Sequence, residues 1–382
     1  MQDRVSRRTA LAVAGTALIA GCTGEDTREP RPTTDSTDET VRRVVLHSDF
    51  EPVFVGATPP ATEPENAPPV GDRVLPLPAS PEELRDYAID GGPPKDGIPS
   101  IDDPRFLSAD AVDSLADSSV VFGIVVNDDI KAYPRRLLVH HEIVNDTLDE
   151  TAVSVTYCPL TGTAQGFERG DTEFGVSGAL INNNLVMYDR TLERWWPQIA
   201  ASSIPGPWSD SDGGTVLREC NVIRTTWRRW RTAYPKTRIL SDETGFVRDY
   251  GVDPYGQLRY YESDGSLFEN RYTSDRHHAK QWIYGVRTSE GAVAFLKETV
   301  RDNGTVDATV GDTSLLAVYD PALDTAHVYR NPEEKTFVYD DIVTDELGNG
   351  YRPDSLPLER MISVDAYWFA WVAFYPGTIV YE

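Results

Sequence analysis

The stretch 227-WRRWRTAYPKT-237 returns, with five identities in eleven positions, as 368-WFAWVAFYPGT-378. Trp227, Trp230, Tyr234, Pro235 and Thr237 meet Trp368, Trp371, Tyr375, Pro376 and Thr378, 141 residues further on. Two tryptophans in register within so short a window point to an internal duplication. Ile223, Trp227, Trp230 and Tyr234 recur at helical spacing, so residues 222–234 are expected to form a helix with one apolar face, which Pro235 stops. The paired tryptophans read as core anchors.

Upstream the comparison continues at an offset of 162. Phe122-Gly123 meets Tyr284-Gly285, Ala132-Tyr133 meets Ala294-Phe295, and Tyr157, Pro159, Thr163 and Ala164 meet Tyr319, Pro321, Thr325 and Ala326. The second copy is thus shorter, and most of the missing stretch corresponds to residues 175–197. VVFGIVV at 120–126 reads as a buried strand, residues 132–146 as a short helix and its exit, and AVSVTY and AQGFE as strands around a tight CPLTGT turn. The expected fold is a β-rich α+β domain in which two related halves, 120–240 and 282–382, pack as one body, joined by 241–281. Residues 59–104 hold 12 of the 27 prolines, so 41–119 should wrap in extended form against that body.

The N-terminus carries Ser6-Arg7-Arg8, an apolar run from Ala10 to Ala20, and Leu18-Ile19-Ala20-Gly21-Cys22. That pattern predicts a twin-arginine export signal over 1–21 and lipidation of Cys22. The apolar run is too short to span a bilayer. Residues 22–40 lack aromatic and large aliphatic side chains and are expected to be a disordered tether between Cys22, on the outer face of the cytoplasmic membrane, and the body. With 36 basic against 61 acidic residues the chain carries a formal charge of −25, which repels itself in dilute buffer and is screened in molar salt. The charge fits life in brine and argues against nucleic acid as a partner.

Groups found in the first copy alone are candidates for chemistry, because residues shared by both copies serve the common frame. His140-His141-Glu142, Asn145-Asp146, Cys158 and the run Ser177 to Arg190 belong to this set; Asp302, Asn303 and Asp320 stand opposite His140, His141 and Cys158. The segments 95-KDGIPSIDDPRF-106, 132-AYPRRLLVHHEIVND-146, 155-VTYCPLTGTAQGF-167, 174-FGVSGALINNNLVMYDR-190 and 275-DRHHAKQWIYGV-286 resemble the domain of unknown function 3179 family, archaeal and bacterial proteins of which many are secreted. The resemblance implies no established activity, fold or cofactor.

Cys158, before a proline in a polar turn, is a candidate nucleophile or soft metal ligand if an imidazole lowers its pKa. Adjacent histidines point about 100° apart on a helix, so His141 is taken to face Cys158 and His140 the other side. A metal ion held by His141, Cys158 and His278, with His277 as the alternative to His278, Met187 favouring copper and a carboxylate favouring zinc, is one expectation, although no spacing matches a zinc motif. Thr161, Glu142, Asn183, Asn184, Tyr188, Asp189 and Arg190 are candidate binding residues. The asparagines also suit a turn, and Tyr188, Asp189 and Arg190 a hydrogen-bonded group that orients the site. Cys220 stands opposite Met361 and reads as small and apolar, with a disulfide to Cys158 as an alternative. Three functions follow: binding of a metal or small polar ligand, thiol-dependent catalysis with His141 as base, or a structural envelope role in which these residues only satisfy one another.

Overall fold

The second tryptophan of each motif, Trp230 or Trp371, sits on a glycine of a central strand in the computed structural model, which describes residues 41–57, 64, 66–112 and 115–382. Strands β1 (Val120–Val126) and β2 (Asp129–Pro134) form an antiparallel hairpin, followed by helix α1 (Arg135–His141). A meander of β3 (Ile143–Leu148), β4 (Thr151–Cys158) and β5 (Thr163–Glu168) comes next. After β6 (Phe174–Ile181), β7 (Asn184–Asp189) and β8 (Trp195–Pro197), the chain returns to β1 as β9 (Ile223–Thr226). Helix α2 (Trp227–Ala233) then leads to β10 (Arg238–Leu240), which lies parallel to β2.

The succession repeats over 282–382 with β11 (Trp282–Thr288), β12 (Gly291–Leu296), α3 (Lys297–Asn303), β13 (Thr305–Val310), β14 (Thr313–Asp320) and β15 (Thr325–Arg330). It closes with β16 (Ser363–Tyr367), α4 (Trp368–Phe374) and β17 (Ile379–Tyr381). The sheet order β9-β1-β2-β10 is matched by β16-β11-β12-β17, and each sheet ends in an antiparallel edge strand, Phe106–Ser108 in one and Arg43–Val45 in the other. Side chains explain the match. A Cβ on Gly123 would lie 2.2 Å from the Trp230 ring and one on Gly285 2.3 Å from Trp371, so only glycine lets each indole lie flat on its strand. Trp230 Nε1 donates to Thr237 Oγ1 (2.9 Å) and Trp371 Nε1 to Thr378 Oγ1 (3.0 Å). The tyrosine of each motif packs beside its indole, at 4.4 and 4.3 Å between centroids.

Two expected elements change type. Residues 132–146 contain the end of a strand, the helix Arg135–His141 and the strand Ile143–Leu148, and Ile223 lies in a strand rather than on the tryptophan helix. The β-branched pairs Ile143-Val144 and Thr225-Thr226 favour extended backbone, and hydrogen bonding to β4 and β1 fixes it. β6, β7 and β8 form a four-stranded sheet with Ile89–Asp90 that residues 282–382 lack; there a smaller sheet of Phe337–Asp340, Ile342–Asp345 and Gly350–Tyr351 stands instead. The proline-rich segment contributes a two-stranded ladder, Val53–Val55 with Leu75–Leu77, and the short helix Pro81–Arg85 under a Ser80/Glu83 capping box. Residues 41–382 form one compact unit. The expected signal segment, Cys22 and the tether lie outside the described residues. Among the described residues no helix is long and apolar enough to cross a membrane.

Candidate functional site

Helix α1 ends in a conformation that suits glycine. At Glu142 the backbone takes φ 56° and ψ −30°, and its N–H closes the helix on the Leu138 carbonyl. The corresponding turn after α3 has φ 74° and ψ −44°, closed on Val300, and there the residue is Gly304. A residue with a Cβ is strained at such angles, by roughly 1–3 kcal/mol. Glu142 is nevertheless only 6% exposed, and its carboxyl, whose oxygens keep a little solvent contact, has no hydrogen-bond or ion-pair partner among the described residues. Burial raises its pKa to about 8, so the group is mostly protonated at neutral pH. A strained, largely buried acid without a protein partner is costly to the fold.

Cys158 and Tyr157 stand next to it, since the Tyr157 N–H donates to the Glu142 carbonyl (2.7 Å). The Cys158 sulfur accepts from Leu185 N (3.4 Å) and faces the Asn183 carbonyl (3.5 Å). Burial, helped by the charge of Glu142, pushes its thiol up to about 11. The CPLTGT turn then packs on the far sheet, where Thr161 O accepts from Tyr367 N (3.0 Å) and Gly162, at φ 69°, lies under Trp282 and Tyr367. These two rings lie 4.5 Å apart, and two cations stand over the first of them, with a third over Tyr261. Arg224 of β9 stacks over Trp282 at 4.2 Å, Lys297 of α3 stands 5.2 Å from the same ring, and Arg135 of α1 lies 5.0 Å from the Tyr261 ring. Arg135 and Arg224 both act on the Tyr157 hydroxyl, which makes no hydrogen bond among the described residues.

Most residues singled out from sequence serve the fold instead. Asn182 and Asn183, at φ 50° and 64°, are the turn between β6 and β7. Their amides fasten the inter-half segment: Asn183 bonds both ways to the Phe268 backbone and donates to Asn270, and Asn182 accepts from Arg271 N. Asn184, Thr161, Thr163, Gln198 and Thr156 close a buried network, with Asn184 Nδ2 donating to Thr161 Oγ1 (3.0 Å) and Gln198 Oε1 (2.9 Å). Asp189 accepts from Trp196 Nε1 and Leu192 N. Tyr188 donates to Asp96 (2.5 Å), and Arg190 donates to Asp102 (2.8 Å) and Glu173 (2.7 Å). Asn145 ties Ser154, Asp102 and the Phe174 backbone together, and Asp146 takes bonds from Lys131 and Tyr133.

The expected thiol–imidazole pair does not form. His141 is fully buried, donates from Nδ1 to the Pro99 carbonyl (2.7 Å) and accepts at Nε2 from Tyr250 (2.7 Å); burial lowers its pKa and keeps it neutral. Both nitrogens are therefore used by the 95–106 and 241–281 segments. His140 meets the Val252 carbonyl (2.9 Å). The expected metal set fails too: His278 is exposed and paired with Asp264 (2.5 Å), His277 with Glu382 (2.9 Å), and Met187 is core. Among the described residues no three His, Cys, Asp or Glu side chains converge as a metal site would require. Cys158 and Cys220 are both free thiols, and Cys220 is partly rather than fully buried.

The signature segments thus meet around α1, the CPLTGT turn and Trp282, and a family model, described as a protein of unknown function (DUF3179), matches residues 95–378. The chain belongs to the DUF3179 family. No curated protein and no solved structure matches it. Arg135, Glu142, Tyr157, Cys158 and Trp282 all lie within the segments that resemble DUF3179; Arg224 and Tyr367 lie outside those segments and escaped the sequence reading. The signal was present: at the 141-residue offset Arg224 stands opposite Asp365, a reversal of charge between otherwise similar strands.

Proposed function

We propose that this DUF3179 member is a lipid-anchored extracytoplasmic binding protein that takes a small polar ligand beside Glu142, Cys158 and Tyr157. The observation that carries the reading is Glu142. A structural role is served by the bonded network of Asn183, Asn184, Asp189, Arg190 and Thr161, whereas an unpartnered buried acid at a glycine-type turn destabilises the fold and is explained by something it binds. The matching element order and paired tryptophans support descent of the two halves from a duplication, after which the second half kept Gly304 and Asp320 in place of Glu142 and Cys158. The Arg7-Arg8 and Cys22 pattern supports export and anchoring, and the charge of −25 supports a brine habitat. The neutral, sequestered His141 and the raised Cys158 thiol favour binding over thiol catalysis.

The test is to purify the protein in molar salt from the membrane fraction, unfold it, and identify small molecules released. Wild type should yield one near-stoichiometric compound and Glu142→Gln less than a tenth of it. Equal release from both rejects the site, and a chain found in the soluble fraction rejects the anchor.

A further inference from the structure

The cations around Trp282 do not balance. Lys297 is ion-paired with Asp365, and Arg135 with Asp253 at 3.6 Å. Arg224 has neither ion pair nor hydrogen bond among the described residues; its one contact of that kind is the face of Trp282. Asp253 is already engaged by Tyr261 and by the Tyr255 and Gly256 N–H groups, and Asp324, beyond Lys297, is exposed and bonded to Tyr319. Asp365 and Asp253 thus serve Lys297 and Arg135, and neither pairs with Arg224, inside a protein whose overall charge is −25. A partly buried guanidinium left uncompensated is unfavourable unless an anion completes it.

The surroundings specify that anion. Tyr157 and Tyr367 bring hydroxyls with no partner among the described residues, and both act electrostatically on Arg224. A guanidinium fork and phenol donors suit planar carboxylate oxygens, and one missing negative charge suits a monoanion better than a phosphate or sulfate dianion. Arg224 keeps some solvent exposure, which gives a ligand access. Resting on the reading that Glu142 marks a ligand site, we propose that Arg224, with Arg135, Tyr157 and Tyr367 on the Trp282 platform, binds a small carboxylate monoanion. Tyr157 links the two parts of the site, adjoining Cys158 on one side and feeling Arg224 on the other.

Saturation-transfer NMR on the folded chain in molar salt tests this, with acetate and propanoate as probes, acetamide as the neutral counterpart and phosphorus linewidths for inorganic phosphate. Wild type should transfer saturation to both carboxylates, at least tenfold more than to acetamide. Arg224→Gln should lose the transfer while unfolding at no lower temperature without probe, because an unbalanced charge has gone. Arg224→Lys, which keeps the charge without the fork, should retain a weakened transfer and carries the comparison if Arg224→Gln does not fold. Equal transfer to acetate in wild type and Arg224→Gln, or none in wild type, overturns the proposal. So does phosphate binding that outcompetes acetate. Acetamide binding that depends on Glu142 but not Arg224 sinks the carboxylate assignment and leaves the Glu142 site standing; acetate binding that depends on Arg224 but survives Glu142→Gln does the reverse.

Discussion

Glu142 and Gly304 hold the same kind of turn at the end of equivalent helices, and they differ in what the turn exposes to the interior. Gly304 adds nothing there, while Glu142 places an acid with a pKa of about 8 beside a thiol with a pKa of about 11. Both groups are neutral at pH 7, so the interior near the CPLTGT turn offers hydrogen-bond donors without charge. A thiol of that pKa, fully buried and without an imidazole, is a poor nucleophile. Native protein treated with iodoacetamide at pH 7.5 should leave Cys158 unmodified while denatured protein is alkylated there. Rapid native alkylation of Cys158 would restore the thiol-enzyme reading.

At the level of elements, the sequence announced its central sheets because an indole lying on a glycine leaves a mark that survives in both halves. Trp230 on Gly123 and Trp371 on Gly285 are equivalent contacts, and the short turns after them use the same threonine acceptor. Gly123→Ala and Gly285→Ala should each lower stability by about 1–3 kcal/mol in denaturant titrations, since the added methyl overlaps a buried indole. An unchanged midpoint in either variant would mean that the indole does not sit as described. Strand boundaries were harder to read, because Ile143 and Ile223 fit a helical period as well as a pleat, and pairing with β4 and β1 decided between them. The direction of His141 was not legible either. It is set by the Pro99 carbonyl and Tyr250, which come from segments without periodicity of their own.

Over the whole molecule, the two halves meet where polar groups from both collect: Glu142, Tyr157, Arg135 and Arg224 from one, Trp282, Lys297 and Tyr367 from the other. Sequence comparison found the first-half acid and thiol by asking what the second half lacks, and missed Arg224 and Tyr367, because a site between halves takes residues that each half uses differently. The unfolded chain ionises Glu142 near its ordinary value of 4.5, whereas the folded chain does so only near 8. Stability contributed by the protonated form is therefore complete below about pH 4.5 and is lost as pH rises from there through 8. That linkage amounts to at most about 5 kcal/mol, from roughly 1.4 kcal/mol for each pKa unit. The histidines and other carboxylates titrate alike in wild type and Glu142→Gln, so the difference between the two isolates this one group. The decisive measurement is the unfolding free energy of both proteins from pH 4 to pH 9 in constant molar salt. Wild type should lose several kcal/mol relative to Glu142→Gln between pH 5 and pH 8.5, and pH profiles that run parallel would contradict the account of Glu142 as a buried, unpartnered acid.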